Sequence, residues 1–263
     1  MTQLDYLKGI LSSLESIAFD LQKSRWIDDP VWVPDLQQFR HERLHDCLFL
    51  FLKSIRMVSH LNASVVLLEN GHVHEMGVLC RCMDETFEDM TMFMKTLGDD
   101  GSPSKEQIRI LDEFFQEQFK DISDPMLESV ERDRVPRKKI RNAIAGLAEN
   151  PANPHDLSQL KGTLYDTYSG YVHGAYPHIM ELYSWPPSQY AMSGMLQRIP
   201  DWTRQLGVYV YRGVLAVLLT ARRLGEEEAT RQLLEIRTDM EGSYPGFAED
   251  PKSALQQLKR KRK

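Results

Sequence analysis

The 263-residue chain has little cysteine, no long apolar run and no large excess of charge of either sign. Cys47, Cys80 and Cys82 are its three cysteines. They cannot pair without leaving one over, which argues against a disulfide framework of the kind that staples small secreted domains. Cys80-x-Cys82 has the wrong spacing for a Cys-x2-Cys metal or redox site. The thiols therefore read as reduced, and the expected compartment is the cytoplasm. No run of about 18 apolar residues occurs, so no membrane span is expected. The most apolar stretch, Gly207 to Ala221, is broken by Arg212 and followed by Arg222 and Arg223. The opening MTQLDYLKGILSSLES has no basic region before an apolar core and does not read as a secretory leader. A Gly-rich phosphate loop and a nucleophile elbow are both missing. With 15 Gly and 13 Pro, the chain is neither collagenous nor of low complexity.

What is present is ordinary globular composition, 42 % hydrophobic and 27 % charged, enough apolar surface for a sizeable core. The formal net charge is -6, although Lys259 to Lys263 are all basic. An acidic body excludes a broad DNA-coating surface but not a local basic groove.

Helical periodicity dominates the pattern. Leu4, Leu7, Leu11, Leu14, Ala18 and Leu21 recur at spacings of three and four. Residues 24–35 break that pattern as a folded loop. A long helix is expected over 36–69, ending at the Asn70-Gly71 turn. Val73, Met76, Cys80, Met83, Phe87, Met90, Met94 and Leu97 form the clearest apolar stripe. Ser102-Pro103 reads as a cap and first helical position, before a helix carrying Ile108, Leu111, Phe115 and Phe119. Further helices are expected over 126–132, 136–149, 156–172, 200–224 and 226–240. The 200–224 segment could pass for a strand by its β-branched residues, but its length favours helix. The expected fold class is all-α, a single-domain bundle of seven to nine helices over 1–245, with a tail over 246–263.

Two constellations stand out. Arg81-x3-Glu85 lies well away from the centre of the Met/Cys/Phe stripe, on a helix that is apolar around much of its circumference, so the pair is expected to be partly buried. Tyr165, Ser169 and His173 recur one per turn on a face that carries no other charge. These five residues are the candidate catalytic set, expected to face one another and share a polar pocket. His173 would carry a proton and Arg81 would hold an anion. A third feature is the run of six cations over 132–141, of which Arg134, Arg137, Lys138, Lys139 and Arg141 are the candidate nucleic-acid-binding residues. Its plainer reading is a solvated basic helix face. Glu42-x2-His45 and Glu69-x2-His72 both spell the carboxylate–histidine unit of di-metal bundles, but the two are about 40 Å apart on a continuous helix. No metal and no cofactor is expected.

The stretches LLENGHVHEMGVLCRCMDETFEDMTMFMK and YDTYSGYVHGAY resemble a family of uncharacterised bacterial helical proteins with Arg-x3-Glu and Ser-x3-His motifs. Arg81, Glu85, Ser169 and His173 are the matching residues, over roughly 50–180. More distantly, the chain resembles HEPN-type domains, many of which are metal-independent ribonucleases of toxin–antitoxin or phage-defence systems. The Arg-polar-x3-His pattern of those domains is met formally by Arg40 and His45, while His173 lacks an Arg at the required distance. That resemblance implies an HEPN-like protein acting on RNA or a nucleotide. Two other functions fit the residues: a non-enzymatic interaction or sensor module, and a metal-dependent bundle enzyme. Candidate partners are RNA, a nucleotide, another protein or a second copy, and no membrane.

Overall fold

The computed structural model describes residues 2–95, 103–117, 134–146, 165–184 and 188–243. Three quarters of these residues are helical, and the fold is an all-α bundle with two small hairpins. Helices α1 (Gln3–Leu21), α2 (Asp46–Glu69), α3 (Val73–Lys95), α4 (Lys105–Phe115) and α5 (Arg137–Gly146) precede α6, whose described part covers 165–172. Then come the short α7 (Tyr176–Met180), α8 (Ile199–Leu224) and α9 (Glu227–Ser243). Strands β1 (Val31–Val33) and β2 (Gln38–Arg40) form one antiparallel hairpin, and β3 (Tyr183–Ser184) and β4 (Gln189–Tyr190) the other.

The helix starts follow from side chains that satisfy free backbone N–H groups. Thr2 and Asp5 form a reciprocal capping box on α1, and Ser104 and Gln107 form one on α4. His45 caps α2 by accepting from the Leu48 N–H at 3.3 Å through Nδ1. Gly225, in the left-handed region at φ 76°, ends α8.

Helix α8 is the axis of the bundle. It packs chiefly against α2, then against α9, α1 and α3. Leu206, Val210, Val214, Ala216, Val217 and Ala221 are wholly buried along it. The β-branched GVYVYRGVLAVLL stretch is therefore helix, because burial on most sides overrides strand propensity. Helices α2 and α3 run antiparallel across Asn70-Gly71. The α3 stripe is buried at Val73, Met76, Cys80, Met83 and Met90, and Phe93 joins it from outside the expected pattern.

Several boundaries differ from the sequence reading. The helix expected from residue 36 begins at Asp46, because the preceding stretch pairs as β1–β2, with Trp32 packed edge-on against Phe39 at 5.1 Å. Phe39 and Leu44, placed on a helical stripe by their spacing, are 60 % and 55 % exposed. The α4 cap is Ser104, two residues after the expected Ser102. The 174–189 stretch reads from the sequence as a loop rich in proline and aromatics, and its described residues contain α7 and β3. The helix expected over 126–132, the first half of the one expected over 156–172, the boundary at 245 and the tail to Lys263 lie outside the described residues.

Candidate functional site

The sequence pair Arg81/Glu85 and the α6 residues do meet, in part. The Arg81 Nε donates to Glu85 Oε1 at 2.9 Å on α3. The Arg81 guanidinium also lies over the Tyr165 ring, 3.5 Å from its centroid. Arg141 of α5 lies over the same ring at 4.2 Å. One phenol thus contacts two guanidinium groups, each attracted by the ring quadrupole. The Arg81 side chain is 14 % exposed. The Nη1 atoms of both Arg81 and Arg141 are buried and have no hydrogen-bond partner among the described residues. Leaving such donors unmade costs about 1–3 kcal/mol each.

The α6 face does not hold together along its length. Ser169 is half-buried and His173 is exposed, past the last helical turn. His173 lies eight positions beyond Tyr165, which is about 12 Å along the helix axis. The expectation of one pocket shared by all five residues is therefore corrected. Arg81, Glu85 and Tyr165 share a site, and the His173 imidazole is left in solvent, because the chain leaves α6 at Gly174 (φ 58°) and turns into α7.

The expected basic surface is split: Arg137 and Arg141 turn inward, whereas Arg134, Lys138 and Lys139 are exposed. Arg137 donates to both oxygens of Asp89 and to the Glu85 carbonyl at 3.3 Å. Lys53 of α2 donates to Asp89 Oδ2 at 2.8 Å and lies over the Phe49 and Phe114 rings. Lys139 is bonded to Glu106 at 3.0 Å, and Arg134 lies 3.3 Å from Glu113. Lys138 is exposed. The spacing of four between Arg137 and Arg141 puts both on one face of α5. Arg81, Glu85 and Asp89 share one face of α3 in the same way. The two faces meet in a seam, with Lys53 of α2 beside them, so that Lys53, Arg81, Arg137 and Arg141 lie among the carboxylates Glu85 and Asp89, and Glu88 acts on Arg137 through its charge. At its end, a cavity of about 290 Å³ is lined by Lys53, Asp89, Glu113, Phe114 and Arg137.

A second polar network fixes α6 in place. Tyr209 of α8 donates to Asp84 Oδ2 at 3.0 Å, and Arg212 is paired with the same carboxylate. Gln205 Nε2 donates to the Tyr168 hydroxyl at 2.6 Å. Burial pushes the Tyr168, Tyr209 and Cys80 groups up, so all three remain protonated near neutrality. One turn on, Gly77 gives room for the Tyr171 ring, since a Cβ there would collide with it. Tyr171 donates to Glu181 Oε2 at 2.9 Å. Nothing in the sequence periodicity singled out Asp84, Asp89, Lys53 or Arg212. The one available signal was a charge placed inside an otherwise apolar window, as with Arg212 in α8.

The Arg40-to-His45 pattern is not helical. Arg40 ends β2 and pairs with Glu117 through Nε at 2.5 Å and Nη2 at 2.9 Å. His45 is committed as a helix cap. His45, Asp46 and Cys47 are the one group among the described residues with ligand atoms all within 4.8 Å. Asp46 is already bound by Arg223, and the His45 Nδ1 lone pair by Leu48, so nothing there points to a metal. His72 sits 3.8 Å from Glu75.

No protein-family profile, no curated protein and no solved structure matches the chain. Among the described residues no helix is long and apolar enough to cross a membrane.

Proposed function

We propose that the protein is a helical module that binds a phosphate-bearing ligand of the RNA or nucleotide class at the α3–α5 seam. The observation that carries this reading is the pair of arginines on one tyrosine ring, Arg81 and Arg141, each with a buried Nη1 that lacks a partner among the described residues. A bound oxyanion would satisfy both donors. Guanidinium groups suit this task because their planar forks match phosphate oxygens. What supports binding over cleavage is the position of His173. A proton carrier must sit within hydrogen-bond reach of the proton it moves, and His173 lies about two turns of helix from the anion end of the site.

The test is calorimetric titration of the purified chain with inorganic pyrophosphate, ADP and a short single-stranded RNA. Saturable binding is expected, weakened at least tenfold in Arg81→Gln and Arg141→Gln variants that keep the wild-type melting profile. Absence of saturable binding for all three, or equal binding by the variants, overturns the reading. Incubation of wild type and His173→Ala with RNA in chelator adds the catalytic arm. Cleavage lost on His173→Ala would replace binding with metal-independent hydrolysis, as the HEPN resemblance implies.

A further inference from the structure

The segment from Val172 to Arg198 differs from the rest of the surface. Among its described residues, seven large apolar or aromatic side chains are exposed, with Tyr176 at 76 % and Met192 at 83 %. Tyr183 and Tyr190 are cross-strand partners on β3 and β4, their rings 5.3 Å apart and edge to face. The stretch carries a single acidic residue, Glu181, in a chain with 38 of them. That one carboxylate is engaged by the Tyr171 hydroxyl.

The segment is anchored, not loose. The Met195 N–H donates to the Gly71 carbonyl at 2.7 Å, and Gly194 approaches Asn70 so closely that a Cβ would collide with its carbonyl oxygen. The His178 ring packs on Gly170 and stands 4.4 Å from the Tyr171 ring. Helices α3 and α6 run antiparallel, with Arg81 against Tyr165 and His74 against Tyr171. The six steps from Tyr165 to Tyr171 span about 9 Å. The aromatic segment therefore begins only a few stacked nucleotides, at about 3.4 Å each, from the two arginines.

We infer that this surface is a base-stacking platform for single-stranded RNA. Tyr176, Tyr183 and Tyr190 receive bases of a strand whose phosphate is held by Arg81 and Arg141, an inference that rests on the function proposed above. Stacking suits the residue types present, because each base has a π-face and tyrosine presents a rigid ring with a polar tip. The low acid content matters because exposed carboxylates repel a polyanion, and the chain as a whole carries a formal net charge of -6.

The experiment is fluorescence anisotropy with a labelled single-stranded RNA 12-mer, run beside calorimetry with inorganic pyrophosphate. Tyr176→Ala and Tyr190→Ala are expected to weaken RNA binding at least fivefold each and leave pyrophosphate binding unchanged. Tyr176→Phe and Tyr190→Phe, which keep the ring, are expected to bind RNA as wild type does. Should an alanine variant unfold, photocrosslinking of 4-thiouridine RNA to the wild-type tyrosines replaces it. Wild type that binds pyrophosphate but not RNA, or alanine variants that bind RNA normally, overturns the platform and leaves the arginine site standing. Loss of both ligands in wild type overturns the arginine site as well. Concentration-dependent dimerisation abolished by Tyr176→Ala, or tyrosine-dependent binding to anionic vesicles without RNA binding, reassigns the surface and overturns the proposal.

Discussion

His60 offers a quantitative check on the interior of the bundle. It is 5 % exposed, and neither ring nitrogen has a hydrogen-bond partner among the described residues. Burial, aided by the positive charge of Arg56, lowers its pKa from 6.5 to about 4. Between those values the unfolded chain binds a proton that the folded chain refuses, so stability falls as pH falls through this window. At about 1.36 kcal/mol per pKa unit, the full effect is about 3 kcal/mol, and about 2 kcal/mol of it appears by pH 5. His60→Leu removes the titrating group at similar volume. It also removes two unsatisfied polar atoms, so the variant is expected to be more stable than wild type at pH 7.5 by about 1–3 kcal/mol. The assay is urea denaturation of both proteins at pH 7.5 and pH 5. Wild type should lose about 2 kcal/mol more than His60→Leu over that interval. Equal losses in the two proteins would show that the imidazole is not held neutral in the fold, and would refute the reasoning.

Asp89→Asn is expected to destabilise the chain by about 3–5 kcal/mol in the same denaturation experiment, because Lys53 and Arg137 would face each other across a low-dielectric space without their shared carboxylate. Gly170→Ala places a Cβ against the His178 ring; hydrogen exchange should show α7 and the second hairpin opening at lower free energy, with α2 and α8 unchanged. Cys47 and Cys80 are buried, and burial pushes the Cys47 thiol up to about 11 and the Cys80 thiol higher still. In a thiol-labelling assay at pH 8, both should stay unmodified until the protein unfolds, while the half-buried Cys82 reacts first.

The helical pattern was legible wherever one face of an element meets the core. The α1 and α3 stripes were read directly, since a period of three and four survives burial on one side, whereas α8, buried on most sides, was legible only from its length. The first hairpin was not, because Leu44 lies at helical spacing from Leu48 and Phe51 by coincidence, while the β1–β2 pairing holds Phe39 outside. The Arg81–Glu85–Tyr165 group was legible because a charge pair on an apolar helix needs a partner. The role of Arg137 and Arg141 was hidden by composition. A run of cations in sequence looks like one solvated face, but a helix distributes it around 360° and turns two of the residues inward. The exposed position of His173 was hidden too, because its helical spacing from Ser169 says nothing about where α6 stops.

The seam also bears on how the chain balances stability against binding. Replacing a buried ion cluster with well-packed apolar side chains is often neutral or stabilising, so the Lys53–Asp89–Arg137 group is a poor device for stability alone. Its geometry suggests a different use. Arg137 holds the Glu85 carbonyl and both Asp89 oxygens, which fixes the register of α5 on α3 and with it the position of Arg141, one turn further on, over Tyr165. On that argument Asp89 acts on the anion site through Arg137 and Arg141. A mild variant such as Arg137→Lys, which keeps the charge but loses the fork, should weaken pyrophosphate binding more than it lowers the melting temperature. If binding and melting temperature instead fall in proportion, the seam serves only to hold the helices together.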